Sequence, residues 1–184
     1  KTTKPLVFHG DNGYSTKSYD GKASAYYSQP FFEANGSLII DGKYKEVKGT
    51  AWADREWSSQ FLNEDQIGWD WFSLNFENEE KLMLFQVREE DKENFTSGSL
   101  ILPDGKQINL ENKEIQFEPL KYKKIENKKI PIKWKIVIND LDIDIIVETV
   151  NQNSYLKTIF PYWEGPILVK GNKIGNGYLE MTGY

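Results

Sequence analysis

Apolar and polar residues alternate along most of this chain with a period close to two. Segments such as KWKIVIND, IDIIVETV and GPILVKG are rich in β-branched residues, which favour the half-buried surface of a strand. No stretch keeps the period of about 3.6 residues that marks an amphipathic helix. The pattern therefore predicts an all-β protein. One short helical turn is predicted at residues 58–66, capped by Ser58 or Ser59.

Turn signals separate the predicted strands. Asp-Gly pairs occur at residues 20–21, 41–42 and 104–105, and Asn-Asp and Gly-Asn pairs occur at residues 139–140 and 171–172. These residues tolerate the positive φ angles of tight hairpin turns. The ten or eleven short strands that result predict an antiparallel barrel or sandwich. A closed barrel would leave no exposed strand edge.

The length and the distribution of strand signals predict one domain. A chain of 184 residues fits a single domain. Residues 1–22 are poor in strand signals and are predicted to be a loop-rich lead-in, whereas residues 23–184 carry the barrel pattern. The first residue is Lys rather than Met and no signal peptide is visible, so we expect an excised or processed piece.

Charge and residue usage exclude several functions. A net charge of −5 with interspersed signs argues against a nucleic-acid surface, and the basic run at residues 121–129 is typical of a solvated loop. The chain has no cysteine and one histidine, His9, which excludes thiolate chemistry and multi-histidine metal sites. We expect no metal and no cofactor. No apolar run is long enough to predict a membrane span.

The segment GTAWADREW places three charged residues between two tryptophans. Strand alternation puts Trp52, Asp54 and Glu56 on one face and Arg55 on the other. Such a cluster is a buried ion pair, a proton-transfer site or part of a sugar-binding platform. For the structural interpretation, the candidate ion-pair residues are Arg55, Glu56 and Arg88.

The segment GWDWFSLNF adds a carboxylate to an apolar stripe. Asp70 shares a face with Phe72, Leu74 and Phe76, and this face is predicted to point into the core. Burying an unpaired carboxylate is so costly that it protonates or finds a cation. Arg88 on the following strand is the candidate cation.

The turn near Asn78 leaves two strand registers open. A three-residue turn over residues 78–80 would place Arg88 opposite Asp70. A two-residue turn would place Arg88 opposite Trp69, within reach of a cation–π contact. In both cases the arginine would satisfy a group inside the barrel.

A third acid, Glu164, stands beside Trp163 in the segment YWEG. Rings around a proton donor exclude water and stabilise a carbocation, which suits the protonation of an alkene. Alternatively, Glu56 and Glu164 would flank a groove and hydrolyse a glycoside whose sugars stack on the rings. The remaining alternative is a non-enzymatic binding module in which the same residues hold the fold.

These patterns define the candidate site. The catalytic candidates are Asp54, Asp70 and Glu164. The candidates for lining a ligand site are Trp52, Trp69, Trp71, Phe72 and Trp163. We expect Asp54 to face the barrel interior, with a pKa raised by the rings, and to act as a general acid. The expected ligand is an apolar or amphipathic small molecule such as a polyene or lipid, unless the rings simply fill the core.

Seven ordered blocks resemble those of one protein family. They are HGDNGYSTK, ASAYYSQPFFEANGSLIIDG, VKGTAWADREWSS, GWDWFSLNF, LMLFQVR, YWEGPILVKG and GNGYLEMTGY. Together, from about Lys4 to Tyr184, they are similar to the AttH/hydroxyneurosporene synthase family, also called carotenoid hydratase-like proteins.

The resemblance implies a fold of two tandem lipocalin-like β-barrels. This chain would be the C-terminal barrel, and the missing N-terminal lipocalin-like domain would be its partner. Residues 1–22 would be the tail of that missing barrel or a linker from it. The resemblance also implies an exported protein, periplasmic or extracellular. Relatives add water to an isoprenoid double bond, guide polyene cyclisation, or are loosely described as secreted hydrolases. By motif, the hydratase acid falls within Trp52-Ala53-Asp54.

Overall fold

The computed structural model describes residues 1–59 and 62–184, and these residues form an almost entirely β structure. The strands are β1 (Val7–Phe8), β2 (Tyr14–Thr16), β3 (Ala23–Ile40), β4 (Lys43–Trp57), β5 (Gln66–Phe76), β6 (Lys81–Glu89), β7 (Phe95–Ile101), β8 (Gln107–Leu110), β9 (Gln116–Ile125), β10 (Lys128–Ile138), β11 (Ile143–Thr149), β12 (Tyr155–Leu156), β13 (Tyr162–Gly171) and β14 (Gly175–Thr182). A 3-10 turn, Asn139–Leu141, follows β10. The all-β, antiparallel prediction is confirmed. The helical turn predicted over residues 58–66 includes residues 60–61 and so lies outside the described residues.

Two antiparallel sheets divide the chain. Strands β5 to β14 form a ten-stranded, strongly curled sheet with the order β8-β7-β6-β5-β14-β13-β11-β10-β9, in which β12 also pairs with β13. Strands β1 to β4 form a four-stranded sheet, in which β3 pairs with β1, β2 and β4. We call these the curled sheet and the N-terminal sheet. Residues 23–57 of the predicted barrel domain contribute β3 and β4 to the N-terminal sheet, and the curled sheet begins at Gln66.

The inner face of the curled sheet packs a continuous apolar core. Phe72, Leu74 and Phe76 of β5 are buried there, as alternation predicts. The rings of Trp134 and Trp163 are also fully buried in this core. Phe72 and Trp163, two of the predicted ligand-lining residues, therefore belong to the packed core.

Asp70 is fully buried beside this core, and three donors hold its carboxylate. Gln86 Nε2 donates to Oδ2 at 2.8 Å, Arg88 Nε donates to Oδ2 at 3.1 Å, and the Tyr184 hydroxyl donates to Oδ1 at 2.8 Å. The Arg88 guanidinium also lies 3.8 Å from the centre of the Tyr184 ring. Burial raises the pKa of Asp70 to about 6, although Arg88 and the hydrogen bonds lower it. Asp70 and Arg88 thus form a buried ion pair that joins β5 to β6.

The β5–β6 hairpin adopts neither predicted register. Residues 77–79 form the turn, so Arg88 lies two residues beyond the β6 partner of Asp70. Both predicted registers were wrong, because the turn begins one residue earlier than expected. The long side chain of Arg88 still reaches Asp70 diagonally. Its cation–π contact is with Tyr184 rather than with Trp69.

Replacement of Arg88 by methionine should destabilise the fold more at about pH 8 than at about pH 5. Without the guanidinium the pKa of Asp70 rises further, and only above that pKa is the buried carboxylate charged without a compensating cation. Removing one partner of a buried pair costs about 3–5 kcal/mol. Urea unfolding at the two pH values measures the difference.

The matched control is Arg55→Met. Arg55 is an exposed arginine on β4 that forms no ion pair within residues 1–59 and 62–184. Its replacement should change the free energy of unfolding by no more than about 0.5 kcal/mol at either pH. An equal loss for Arg88→Met at both pH values would contradict this account of Asp70.

Candidate active site

A large cleft separates the N-terminal sheet from the outer face of the curled sheet. Its volume is about 1610 Å³, whereas about 300–1,000 Å³ suffices for a typical small-molecule site. The wall formed by the N-terminal sheet includes Ser24, Tyr26, Trp52, Asp54, Glu56 and Trp57. The wall formed by the curled sheet includes Trp69, Trp71, Ser73, Phe85, Val87, Tyr178 and Glu180. The cleft can therefore hold an extended ligand between two aromatic walls.

Strand alternation explains both walls. On β5, Phe72 points into the core while Trp69 and Trp71 point to the opposite face and line the cleft. On β4, alternation places Trp52 and Asp54 together on the cleft side, as predicted. The expectation that Asp54 faces the barrel interior needs correction. Since β4 belongs to the N-terminal sheet, Asp54 faces the outside of the curled sheet across the cleft.

Asp54 is half-buried in the cleft wall, and its Oδ1 atom accepts two hydrogen bonds. The Tyr26 hydroxyl donates at 3.0 Å, and the Ser28 hydroxyl is the second donor. Tyr26 in turn accepts a hydrogen bond of 3.0 Å from the Trp71 indole on the opposite wall. Among the described side chains, none makes a hydrogen bond to Oδ2. The two carboxyl oxygens of Asp54 thus have different surroundings.

The pKa of Asp54 is raised above its ordinary value. Burial is the main cause, and the charge of Glu56 adds to it. Hydrogen bonding from Ser28 and Tyr26 opposes the rise, as does the nearby indole N–H of Trp52. Within the described residues, that indole N–H makes no hydrogen bond. The predicted rise in pKa thus coexists with the two hydrogen bonds expected of a structural aspartate.

Glu180 is the acid of the opposite wall, and it is absent from the sequence-based candidates. Strand β14 places it directly opposite Trp71 on β5, and the Trp69 indole donates to its Oε1 at 2.9 Å. Burial raises the pKa of Glu180, although the hydrogen bond from Trp69 lowers it, and the charges of Glu164 and of the carboxylates on the opposite wall raise it further. The cleft therefore has a partly desolvated acid on each wall.

Lys17 neutralises the third carboxylate of the cleft. Its Nζ lies 2.8 Å from Glu56 Oε1 and 3.9 Å from the centre of the Phe85 ring. Burial lowers the pKa of Lys17, whereas Glu56 raises it. Glu56 thus pairs with Lys17 rather than with Arg55, which was the predicted structural partner and which extends from the other face of β4.

Behind Asp54, the single histidine joins the two sheets. His9 Nε2 lies 2.7 Å from Ser28 Oγ on β3, and Nδ1 lies 3.0 Å from Ser99 Oγ on β7. All three side chains are fully buried. Burial lowers the pKa of His9 to about 3, and the charge of Lys17 acts in the same direction. His9 is therefore neutral at physiological pH.

His9, Ser28 and Asp54 are not arranged as a hydrolytic triad. In a Ser-His-Asp triad the imidazole stands between the serine and the aspartate. Here Ser28 stands between His9 and Asp54. His9 instead bridges two serines, one from each sheet.

Several predicted site residues lie outside the cleft. Asp70, Phe72 and Trp163 are fully buried within the curled sheet. Glu164 lies on β13 opposite Glu180, and the residues that line the cleft do not include it. The predicted site residues that do line the cleft are Trp52, Asp54, Glu56, Trp69 and Trp71. Within the described residues, no three His, Cys, Asp or Glu side chains are grouped to hold a metal ion.

The buried neutral histidine should make the fold acid-sensitive. The unfolded chain binds a proton at the ordinary pKa of 6.5, whereas folded His9 binds one only near a pKa of about 3. Between these values the unfolded state holds more protons, so lowering the pH favours unfolding by up to about 1.4 kcal/mol per pH unit. Urea unfolding of the wild type and of His9→Gln over this range measures the contribution.

The difference in slope between the two proteins isolates His9. Asp70, Asp54 and Glu180 have raised pKa values and act in the opposite direction, but they are present in both proteins. If the free energy of unfolding depended on pH identically in both proteins, His9 would not be the buried neutral group described here.

Comparisons with known proteins identify the family. The sequence matches the AttH-like family over residues 1–184. A crystal structure of an AttH protein from Nitrosomonas europaea has a TM-score of 0.89 and 30% sequence identity, covering 99% of this chain and 59% of that chain. The comparison with curated proteins returned no match.

A second solved structure shares the fold. Kievitone hydratase from Nectria haematococca has a TM-score of 0.78 and 18% identity, covering 97% of this chain and 58% of that chain. The present chain thus spans less than two thirds of either relative. No helix among the described residues is long and apolar enough to cross a membrane. The chain belongs to the AttH-like family.

Proposed function

We propose that this chain binds an apolar or amphipathic ligand in the aromatic cleft and adds water to a carbon–carbon double bond of that ligand. The observation that carries the proposal is the environment of Asp54. It is a half-buried carboxyl with a raised pKa among aromatic rings, in a cleft of about 1610 Å³. Asp54 is the general acid in this proposal, in preference to the core residue Asp70 and to Glu164.

Asp54 supplies the proton. A general acid works best when its pKa lies near the working pH, and burial moves Asp54 in that direction. Tyr26 and Ser28 occupy Oδ1, so the transferable proton resides on Oδ2. Transfer of this proton to one alkene carbon breaks the π bond and leaves a carbocation on the other carbon.

The ring walls stabilise the cation. The faces of Trp52 and Trp71 present the negative part of the ring quadrupole, which attracts a cation by about 0.5–2 kcal/mol. The same rings displace bulk water, which strengthens charge interactions in the cleft. Positive charge on the ligand would also be attracted by the ionised Asp54 and by Glu180.

Glu180 completes the addition. A water molecule attacks the cationic carbon through its oxygen and transfers one proton to the Glu180 carboxylate. The product is an alcohol, and proton return from Glu180 to Asp54 through solvent restores both acids. The sum is the addition of one water molecule, without any redox step. The aromatic partner Trp69 keeps Glu180 oriented through its 2.9 Å hydrogen bond.

Family membership supports a hydratase of this kind. The chain is AttH-like, and it shares its fold with a protein named kievitone hydratase. Since the chain spans 59% and 58% of the two relatives, we also propose that a further N-terminal lipocalin-like domain contributes to the whole protein. Export to the periplasm or outside the cell is part of the same proposal.

A non-enzymatic carrier is the second candidate. The observation that favours it is the satisfied polar cluster of the N-terminal wall, in which Glu56 pairs with Lys17 and Asp54 accepts from Tyr26 and Ser28. The glycosidase alternative is less favoured, because Glu56 is engaged by Lys17.

Ligand binding should depend on the wall tryptophans. Trp69→Leu and Trp71→Leu should each weaken the binding of retinol, used as a polyene probe, because each removes a ring from the cleft wall. We expect a loss of about 0.5–1.5 kcal/mol, measured by quenching of tryptophan fluorescence. Tyr122→Leu, an exposed ring on β9, is the control and should bind retinol like the wild type. If retinol, other polyenes and fatty acids all failed to bind the wild type, the proposed ligand class would be wrong.

Turnover should depend on Asp54. A panel of polyenes and isoprenoid alkenes, incubated in isotopically labelled water, should yield an alcohol that carries the label. Asp54→Asn keeps the shape of the side chain but lacks the proton, so it should lower the rate by about 100- to 10,000-fold. Glu180→Gln should lower the rate as well, because it removes the base.

The control for turnover is Asp144→Asn, an exposed aspartate on β11 that lies outside the cleft lining. It should turn over like the wild type. Full activity of Asp54→Asn on any substrate found would remove Asp54 from the mechanism. Retinol binding without labelled product from any alkene would favour the carrier.

A further inference from the structure

The hydrogen bonds behind Asp54 form a directed chain. Ser28 has one hydroxyl proton, and it contacts two groups that can accept it, Asp54 Oδ1 and His9 Nε2. An ionised carboxylate only accepts hydrogen bonds, so Ser28 donates to Asp54. His9 Nε2 must then carry a hydrogen and donate to Ser28. The carboxylate thereby determines the tautomer of the imidazole.

The far side of the imidazole agrees with this direction. With its hydrogen on Nε2, neutral His9 has an acceptor at Nδ1, which lies 3.0 Å from Ser99 Oγ. The Ser99 oxygen accepts a hydrogen bond of 3.2 Å from Gln107 Nε2, which leaves the Ser99 hydroxyl proton free to be donated to His9 Nδ1. The alternative acceptor for the Ser99 proton, Asn109 Oδ1, is more distant at 3.4 Å. The hydrogen bonds from Gln107 through Ser99, His9 and Ser28 can therefore all run in one direction, towards Asp54.

Packing fixes the imidazole in this orientation. His9 is fully buried, and its ring centre lies 4.3 Å from that of Tyr26, the other donor to Asp54. The next residue, Gly10, has φ +70°, and a Cβ there would lie 2.2 Å from the Tyr14 carbonyl oxygen. Asn109 Nδ2 donates to the Gly10 carbonyl oxygen at 2.9 Å. The loop is therefore held to both sheets, and His9 cannot turn without disturbing it.

We propose that His9, as its Nε2–H tautomer, and Ser28 are positioning residues that keep Oδ1 of Asp54 a hydrogen-bond acceptor and leave Oδ2 to carry the transferable proton. This inference rests on the proposed function, since it assigns the proton to one oxygen of the proposed acid. It also gives the lead-in over residues 1–22 a part in the site. With the opposite tautomer, Ser28 would donate to His9, and Asp54 would carry its proton on Oδ1, directed away from the ligand.

The first experiment reads the tautomer directly. His9 is the only histidine of the chain, so nitrogen NMR of protein labelled at histidine gives one imidazole without assignment. We expect a protonated Nε2, an unprotonated Nδ1 and a neutral ring over about pH 5–8. A proton on Nδ1, or a charged ring in this range, would overturn the proposal. This measurement uses the wild type and needs no ligand.

The second experiment tests the link to Asp54. Ser28→Ala removes a donor to the ionised carboxylate and should raise the pKa of Asp54, followed by carbon NMR of labelled aspartate side chains and assigned by Asp54→Asn. Ser24→Ala is the matched control, because Ser24 lies on the same face of β3 but donates to Glu56. It should shift the pKa of Asp54 much less. The other groups that face Asp54, namely Lys17, Tyr26, Glu56 and Glu180, are the same in both variants.

The outcomes separate the two proposals. If the tautomer and the Ser28→Ala shift are as expected while Asp54→Asn turns over normally, the positioning stands and the proposed function fails. If Ser28→Ala leaves the pKa of Asp54 unchanged, the positioning fails even where Asp54→Asn abolishes turnover. If Ser28→Ala does not fold, the wild-type tautomer decides alone.

Discussion

The contact of buried His9 with Ser28 and Ser99 is the constraint on which the cleft depends. Within the described residues the two sheets share no strand pairing, so their relative position rests on side-chain contacts. An imidazole held by a serine on each side is rigid and directional, unlike an apolar contact. Because the ring is neutral and fully buried, opening this junction to water leaves donors and acceptors without partners. Asp54 accepts a hydrogen bond from Ser28, one of the two serines of this junction.

Two aspartates of similar sequence context have opposite surroundings, and the cations explain the difference. Asp70 and Asp54 both follow a tryptophan at short range, and burial raises the pKa of both. Arg88 lies against Asp70, so its charge is compensated within the core. Lys17 lines the same cleft, but its ammonium group forms its ion pair with Glu56. Within the described residues Asp54 therefore has hydrogen-bond donors but no ion pair, which suits the role proposed for it as a general acid.

The sequence predicted the fold class and the shared face of Trp52, Asp54 and Glu56, because a period of two is a property of each strand by itself. It did not predict which sheet β4 joins, since pairing partners are set by long-range contacts. The register of the β5–β6 hairpin was wrong for a related reason, as one residue of turn length moves every pair. Glu180 was missed although GYLEMTGY alternates apolar and polar residues. That alternation gives its face, but only the pairing of β14 with β5 brings it to Trp71.

The lead-in shows why weak strand signals do not mean a weak structural role. Its glycines and polar residues interrupt the alternation that predicts strands. Gly10 is nevertheless required, because the backbone there passes close to the Tyr14 carbonyl oxygen. A residue with a side chain would push this turn away and carry His9 with it. The same composition that made residues 1–22 resemble a linker is what allows an imidazole to enter between two sheets. His9 lies in the irregular backbone between β1 and β2, where its side chain reaches Ser28 in one sheet and Ser99 in the other.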